Sequence, residues 1–202
     1  MLKPRAVVFD LGKVLLDFDY KIAVKRLLSR SPATIDQINL IINASPLLLR
    51  YENGDIGSHD FFLQVKTESG FLGDFEEFKE LFGDIFTPID SMVFLHSELK
   101  NKGIPTYIFS NTNELQIQFI RRKFPFFANF TGYILSFEHR AMKPQPALYE
   151  VVEKTSGCRG AEILYIDDRP ENIEAGVKRG WHGIVHTSHA QTNSRIEELG
   201  LL

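Results

Sequence analysis

The feature that most constrains the fold is a set of short apolar runs, each of which ends in polar side chains. The first run, 6–9, is followed directly by Asp10. Two later runs have the same form: 106–109 is followed by Ser-Asn-Thr, and 163–166 is followed by Asp-Asp. Runs of this length and composition predict buried strands. Because ligands bind outside the carboxyl ends of strands in open α/β sheets, we expect these polar residues to line one crevice.

The pattern between these runs is helical. From residue 89 onward, segments with helical periodicity separate the runs, and further short strands are predicted at 133–135 and 183–186. Strands that alternate with helices predict a parallel sheet with right-handed crossovers. We therefore predict an α/β fold, with a Rossmann-like parallel sheet flanked by helices.

The segment from about residue 20 to residue 86 has a different pattern. Apolar side chains recur there at helical spacing, and no strand-like alternation is present. This pattern predicts a small all-helical cap inserted after the first strand. We assign residues 17–88 to the cap, and residues 1–16 and 89–202 to the α/β core.

Composition and charge argue against several classes of protein. The chain has 202 residues, of which 44% are hydrophobic and 24% charged, and its formal net charge is −3. This charge gives no reason to expect nucleic acid or an anionic membrane as a partner. No apolar stretch approaches the length that spans a membrane, and Asp10 follows the amino terminus too closely for a signal peptide, so we expect a cytoplasmic protein. The single cysteine, Cys158, cannot form an internal disulfide.

Three acidic residues are the main candidates for metal chemistry. Asp10 by itself could simply cap the turn that follows it. Asp167 and Asp168 are adjacent at the end of another predicted strand, and they repel each other unless a cation or a hydrogen-bond donor intervenes. A divalent metal held by Asp10 and Asp168 would remove this repulsion. Carboxylate oxygens suit Mg²⁺, which keeps several waters and commonly works with a phosphate.

Ser110, Asn111 and Thr112 are candidates for binding an anion. They offer hydroxyl, amide and backbone N–H donors just before a predicted helix, and the amino terminus of a helix attracts anions. The same residue types are also ordinary helix caps. Lys143 follows in a proline-rich loop, where it serves an active site only if its side chain points inward.

Taken together and in order, these residues resemble the four motifs of the haloacid dehalogenase superfamily. The motifs are Asp10-x-Gly12-x-Val14, Ser110-Asn111, Lys143-Pro144-x-Pro146 and Asp167-Asp168-x-x-x-Asn172. The resemblance spans nearly the whole chain and includes the position of the small cap. More narrowly, the segments 9–14, 109–113 and 52–56 are similar to the branch that contains α-D-glucose-1-phosphate phosphatases.

The resemblance implies a Mg²⁺-dependent phosphatase that hydrolyses a small phosphorylated metabolite, for example a sugar phosphate. It implies that Asp10 attacks phosphorus and carries a covalent phosphoaspartyl intermediate. The metal would be bound by Asp10, the carbonyl of Gly12 and Asp168, with Asp167 acting through water. A metal is needed because carboxylate and phosphate, both anions, must approach one another.

The same resemblance implies roles for the remaining motif residues. Ser110 and the backbone N–H of Asn111 would hold the phosphoryl oxygens. Lys143 would neutralise the charge of Asp10 and of the phosphate together, which is the electrostatic stabilisation that dominates such transfers.

Gly12 departs from the usual pattern of the superfamily. Most of its phosphatases, by the same resemblance, have an aspartate there as general acid and base, a function typically worth ~10²–10⁴ in rate. The glucose-1-phosphatase-like branch shares the glycine, so we still expect activity. Water, Lys13 or the substrate could replace the acid. An enzyme without one should favour weakly basic leaving groups, such as those of sugar-1-phosphates.

Two other functions are compatible with the sequence. A metal-independent haloacid dehalogenase would also form an aspartyl ester, but it leaves the acidic pair 167–168 unexplained. A non-catalytic protein that binds a phosphometabolite would explain the glycine at position 12. In the cap, Arg50, Tyr51 and Glu52 could reach over the cleft, although exposed positions at a helix end are the favoured interpretation.

Overall fold

The computed structural model describes residues 3–43 and 45–202. Its strands are β1 (Ala6–Phe9), β2 (Leu16–Phe18), β3 (Phe86–Pro88), β4 (Thr106–Ser110), β5 (Gly132–Leu135), β6 (Ile163–Asp167) and β7 (His182–Val185). Five of them form one sheet in the order β5-β4-β1-β6-β7, and every neighbouring pair is parallel. The predicted α/β fold with a parallel sheet is confirmed.

Helices connect the strands and cover both faces of the sheet. They are α1 (Tyr20–Leu28), α2 (Ile35–Ile42), α3 (Pro46–Glu52), α4 (Ser58–Ser69), α5 (Phe75–Gly83), α6 (Asp90–Asn101), α7 (Glu114–Lys123), α8 (Ser136–His139), α9 (Pro146–Ser156), α10 (Pro170–Val177) and α11 (His189–Glu198). Capping side chains fix where several of them begin. Asp19 accepts a hydrogen bond from the N–H of Lys21, and Thr34 and Gln37 form a reciprocal capping box. Among the described residues, no helix is long and apolar enough to cross a membrane.

The apolar run of β1 occupies the centre of the sheet. All four of its residues are buried, because β4 and β6 flank the strand and helices cover both faces. Successive side chains of a strand point to opposite faces. Accordingly, Val7 and Phe9 pack into the apolar cluster on one face, whereas Ala6 and Val8 pack into the cluster on the other. A strand buried on both faces is apolar throughout, which is why its sequence signal is strong.

A two-stranded antiparallel ribbon leads into and out of the helical cap. β2 pairs with β3, with Leu16 opposite Pro88 and Phe18 opposite Phe86. Between these strands, α1–α5 enclose their own apolar cluster, to which the core contributes Leu115. The ribbon was not predicted, because three-residue strands are too short to show alternation. The cluster supports a boundary near residues 17 and 88, and the division into cap and core stays a prediction.

Candidate active site

A cleft of about 330 Å³ lies at the carboxyl ends of β1, β4 and β6, between the core and the cap. Every site residue predicted from the sequence except Asp167 lines it; these residues are Asp10, Gly12, Ser110, Asn111, Lys143 and Asp168. Asp167 lies beneath the cleft and is fully buried. The structure therefore brings together residues that are up to 158 positions apart in the chain, as the parallel topology requires.

Asp10 is fixed at the end of the central strand. Its backbone N–H donates to the carbonyl of Ile166, at 2.8 Å, which continues the pairing with β6. Its Oδ1 accepts a hydrogen bond from the N–H of Leu11, at 2.7 Å, and lies 2.9 Å from Nζ of Lys143. Burial raises the pKa of Asp10, and the Lys143 ammonium opposes that shift. The carboxylate is thus oriented by two donors at the edge of the cleft.

Lys143 points inward, which settles the orientation that the sequence left open. Its side chain is only 2% exposed. Besides Asp10, its ammonium contacts Oδ2 of Asp167 at 2.7 Å and donates to the carbonyl of Phe109 at 2.9 Å. These three partners match the three N–H donors of a lysine. Burial lowers the pKa of Lys143, but the two carboxylates raise it by more, so the side chain is cationic.

Asp167 and Asp168 have different surroundings although they are adjacent. Hydrogen bonds to the Asp167 carboxylate come from Lys143, Tyr165, Asn172 and the backbone N–H of Arg169. Burial raises the pKa of Asp167, but the Lys143 ammonium and the hydrogen bonds from Lys143, Tyr165 and the N–H of Arg169 together lower it by more, so the net shift is downward. Burial and the charge of Asp167 raise the pKa of Asp168. Asp168 faces the cleft and forms no salt bridge with the described residues.

Asp10, Asp167 and Asp168 form a cluster that can hold a metal ion. Each offers one carboxylate oxygen, and these oxygens lie within 4.8 Å of one another. Three converging carboxylates are hard oxygen ligands of the kind that suits Mg²⁺. Since four donors already engage Asp167, its carboxylate is less available for direct ligation than that of Asp168. The donor set therefore fits a magnesium ion near Asp10 and Asp168.

Ser110 ends β4 and Asn111 follows it, and neither residue caps the helix α7. The cap of α7 is Asn113, which accepts a hydrogen bond from the N–H of Gln116 at 3.1 Å. The side chain of Asn111 instead binds the backbone of Lys143: its amide donates to the carbonyl at 3.1 Å, and its oxygen accepts from the N–H at 2.7 Å. The sequence did not indicate this contact. Asn111 thus positions the loop that carries the lysine.

Phe18 explains why position 12 is a glycine. A Cβ atom on Gly12 would lie 2.8 Å from Cε1 of Phe18, which is closer than real contacts allow. Phe18 lines the cleft, and the ammonium of Lys13 lies 4.8 Å from the centre of its ring. That ammonium also forms an ion pair with Asp17. The space of an acidic side chain at position 12 is therefore occupied by an aromatic ring.

The expectation that residues 50–52 are exposed is wrong for two of the three. Arg50 is exposed. Tyr51 is buried in the apolar cluster of the cap, and its hydroxyl accepts a hydrogen bond from the N–H of Leu115 in the core. Glu52 is half-buried and lines the cleft, and its backbone carbonyl accepts a hydrogen bond from Ser136 at 2.6 Å. These contacts hold the end of α3 against the core.

The part of the cleft beyond the acidic cluster is mostly apolar. Its apolar and aromatic residues are Leu11, Phe18, Tyr20, Leu48, Leu49, Phe86 and Met142. Polar side chains on this wall are few, and they include Asn43, Glu52 and Gln116. The Gln116 amide donates to the hydroxyl of Tyr20 at 2.7 Å. The remote part of a ligand would therefore meet both apolar surface and a few hydrogen-bonding groups.

Comparison with known proteins gives consistent results. The model of the haloacid dehalogenase-like hydrolases matches residues 4–180. The chain is 25% identical over 197 residues to the sesquiterpene phosphatase astK of Aspergillus oryzae, covering 96% of each protein. It is 24% identical over 181 residues to a D-ribitol-5-phosphate phosphatase of Bacteroides thetaiotaomicron, covering 87% of this chain and 88% of that protein.

Solved structures share the fold over most of their length. A haloacid dehalogenase family enzyme from B. thetaiotaomicron, in complex with magnesium and inorganic phosphate, superposes with a TM-score of 0.80 at 20% identity, covering 91% of this chain and 94% of that one. An L-2-haloacid dehalogenase from Xanthobacter autotrophicus gives a TM-score of 0.65 at 17% identity, covering 96% and 83%. Because the family model matches most of this chain, the chain belongs to the haloacid dehalogenase-like hydrolases.

Proposed function

We propose that this protein is a Mg²⁺-dependent phosphatase that hydrolyses a small phosphorylated metabolite through a phosphoaspartyl intermediate on Asp10. The observation that carries the proposal is the convergence of Asp10, the buried Lys143 ammonium and two further carboxylates at one end of the sheet. A cation beside clustered carboxylates suits an anionic substrate and a metal ion together. The two relatives described above are phosphatases by name.

The acidic cluster is the proposed metal site. Asp10, the carbonyl of Gly12 and Asp168 would hold Mg²⁺, with Asp167 acting through water. When bound, the metal supplies positive charge between the carboxylate nucleophile and the phosphate. A family member of the same fold was solved with magnesium and phosphate, which supports this choice of metal.

The chain's own residues account for the two half-reactions. In the first, an oxygen of Asp10 bonds to phosphorus while the bond to the leaving oxygen breaks. In the second, water attacks phosphorus, and Asp10 is regenerated with release of phosphate. Ser110 and the backbone N–H of Asn111 would hold the phosphoryl oxygens. Lys143 would stabilise the charge that accumulates in both transition states, since it is buried and already contacts Asp10.

The test is the isosteric variant Asp10→Asn, compared with the exposed control Asp60→Asn. Phosphate release is measured with excess Mg²⁺ over a panel of sugar, polyol and terpenyl phosphates. We expect turnover by the wild type and by the control, loss of turnover in Asp10→Asn, and a phosphoryl adduct on Asp10 after acid quenching. Chelation by EDTA should stop the wild-type reaction.

Two results would replace this function with another. Turnover of a 2-haloacid that persists in EDTA would identify a dehalogenase. Tight binding of a phosphorylated compound, without phosphate release anywhere in the panel, would identify a binding protein.

A further inference from the structure

We propose that Glu52 of the cap is the general acid and base of the reaction, in place of the carboxylate that Gly12 lacks. This inference rests on the proposed phosphatase function. It assigns the protonation of the leaving oxygen to a side chain that faces the nucleophile's cleft from the opposite domain.

The first support is the position of Glu52. It is the last residue of α3 and lines the same cleft as Asp10. Its backbone is fixed to the core by the hydrogen bond from Ser136. Two residues later, Gly54 has a φ of +75°, and a Cβ there would lie 2.2 Å from the carbonyl oxygen of Phe137. Such a close approach of the turn to the core requires glycine. The turn therefore keeps the Glu52 side chain over the cleft.

The second support is that the Glu52 carboxyl has no protein partner. Among the described residues, none forms a hydrogen bond or an ion pair with this side chain, although it is half-buried. Burial is the sole cause that raises its pKa, to about 7, because no cation offsets the loss of solvent. The neighbouring Tyr20 has its own pKa raised by burial and by the charge of Glu52. A carboxyl of this kind is protonated in a large fraction of molecules near neutral pH.

The third support is that the other ionisable groups of the cleft have different partners. The described residues that line the cleft include three carboxyl groups, and two of them, Asp10 and Asp168, belong to the acidic cluster that can hold a metal ion. Lys13 is paired with Asp17, and Arg169 with Glu171. Lys143 is surrounded by three acceptors. Among the described groups that line the cleft, Glu52 is therefore the carboxyl that is available to exchange a proton with the substrate.

The proposed step balances atoms and charge. As an oxygen of Asp10 bonds to phosphorus, the bond from phosphorus to the leaving oxygen breaks and its electron pair goes to that oxygen. The proton of the neutral Glu52 carboxyl moves to the same oxygen, and an alcohol departs. In the second half-reaction, the Glu52 carboxylate takes a proton from the attacking water. The phosphorus bond to Asp10 then breaks, which restores both carboxyl groups.

The experiment compares Glu52→Gln with a matched control, Asp55→Asn, an exposed carboxylate three residues away. First-turnover rates are measured with Mg²⁺ on an alkyl phosphate and on 2,4-dinitrophenyl phosphate, whose phenolate leaves without a proton. We expect Glu52→Gln to lose ~10²–10⁴ in rate on the alkyl ester and to keep the wild-type first turnover on the aryl ester. The control should match the wild type on both esters.

The pH dependence gives an independent readout. On the alkyl ester, the wild-type first-turnover rate should fall as the pH rises through about 7, because Glu52 loses its proton. This fall in rate should be absent in Glu52→Gln and present in Asp55→Asn. The ionisable groups that share the cleft with Glu52 are Tyr20 of α1 and, on the core side, Asp10, Lys13, Lys143, Asp168 and Arg169. Ionisation of Asp10 acts in the opposite direction, since the nucleophile gains activity as it loses a proton.

Three results would overturn the assignment. They are an equal loss on both esters, an unchanged rate on the alkyl ester, and a rise in KM with kcat unchanged, which would mean that Glu52 binds the substrate uniformly. Thermal melting checks that Glu52→Gln is folded, which we expect because the side chain holds no other residue. Glu52→Asp, a second variant, should recover part of the alkyl-ester rate. Failure of the phosphatase proposal is distinguishable, because then the wild type also turns over neither ester.

Discussion

Replacing Lys143 with methionine tests the electrostatic balance beneath the cleft. The ammonium contacts Asp10 at 2.9 Å and Asp167 at 2.7 Å, and neither of these side chains is more than about 10% exposed. Removing one partner from a buried ion pair costs about 3–5 kcal/mol, because the other charge is left unpaired. Asp167 keeps donors from Tyr165 and Asn172, so we expect the lower end, about 3 kcal/mol. For a chain of this size, that corresponds to a melting temperature lower by roughly 6–12 °C.

The loss of stability in Lys143→Met should depend on pH in a defined direction. Burial already raises the folded-state pKa of Asp10 in the wild type, against the opposing effect of the Lys143 ammonium. Without the ammonium, burial and mutual repulsion raise the pKa of Asp10 further and bring that of Asp167 above its unfolded value. The folded state then binds more protons than the unfolded state, so the variant is destabilised as the pH rises through these raised values. In the wild type, the pKa of Asp167 is lowered. The stability that Asp167 contributes to the wild type is therefore present above its unfolded-state pKa, and it is lost as the pH falls through its folded-state pKa.

The assay is thermal unfolding at pH 5 and pH 7.5 in EDTA, with Lys25→Met as an exposed control. The gap between wild type and Lys143→Met should be larger at the higher pH, and the control should show no gap. A variant that is as stable as the wild type, or whose deficit is the same at both pH values, would refute this account of the buried charges.

Three further predictions follow from contacts around the cleft. Gly12→Ala should cost about 1–3 kcal/mol in thermal unfolding, because its Cβ would meet the ring of Phe18; if Phe18→Leu does not relieve the cost, the steric explanation fails. Asn111→Ala should lower the rate of phosphate release and cost about 1–3 kcal/mol of stability, since two hydrogen bonds to the Lys143 backbone are lost; an unchanged kcat would contradict a positioning role. Saturating Mg²⁺ at about 100 times its Kd should stabilise the wild type by about 2.7 kcal/mol in melting experiments, and Asp168→Asn should lose that response; an equal response in both proteins would place the metal elsewhere.

The sheet and its polar strand ends could be predicted because their signals are local. A strand buried on both faces must be apolar, and a polar residue directly after it marks the edge where loops begin. For β1, β4 and β6 this pattern is present in four or five consecutive residues. The outer strands were predicted with ends shifted by one residue, since their burial is less complete.

The orientation of Lys143 could not be predicted from the residue and its loop alone, because it depends on contacts across the fold. A lysine in a proline-rich loop is usually exposed. Here the side chain of Asn111, 32 positions away, holds the lysine backbone, and carboxylates from two different strands receive the ammonium. Each of these contacts joins segments that are distant in the sequence. Only the ordered set of motifs, and not the residue itself, indicated the inward orientation.

The contacts at the end of α3 in the cap could not be predicted from the sequence either, and they affect the chemistry of the cleft. Residues at the end of α3 resemble an exposed helix end, yet the N–H of Leu115 and the hydroxyl of Ser136 fix them against the core. Glu52 is thereby held over a wall on which the Phe18 ring takes the space beside Gly12. An apolar wall favours the neutral form of a nearby carboxyl. Gly12 and the ring of Phe18 thus leave no room for an acid on the nucleophile's loop. In the proposed mechanism, the same apolar wall allows the Glu52 carboxyl of the cap to keep its proton.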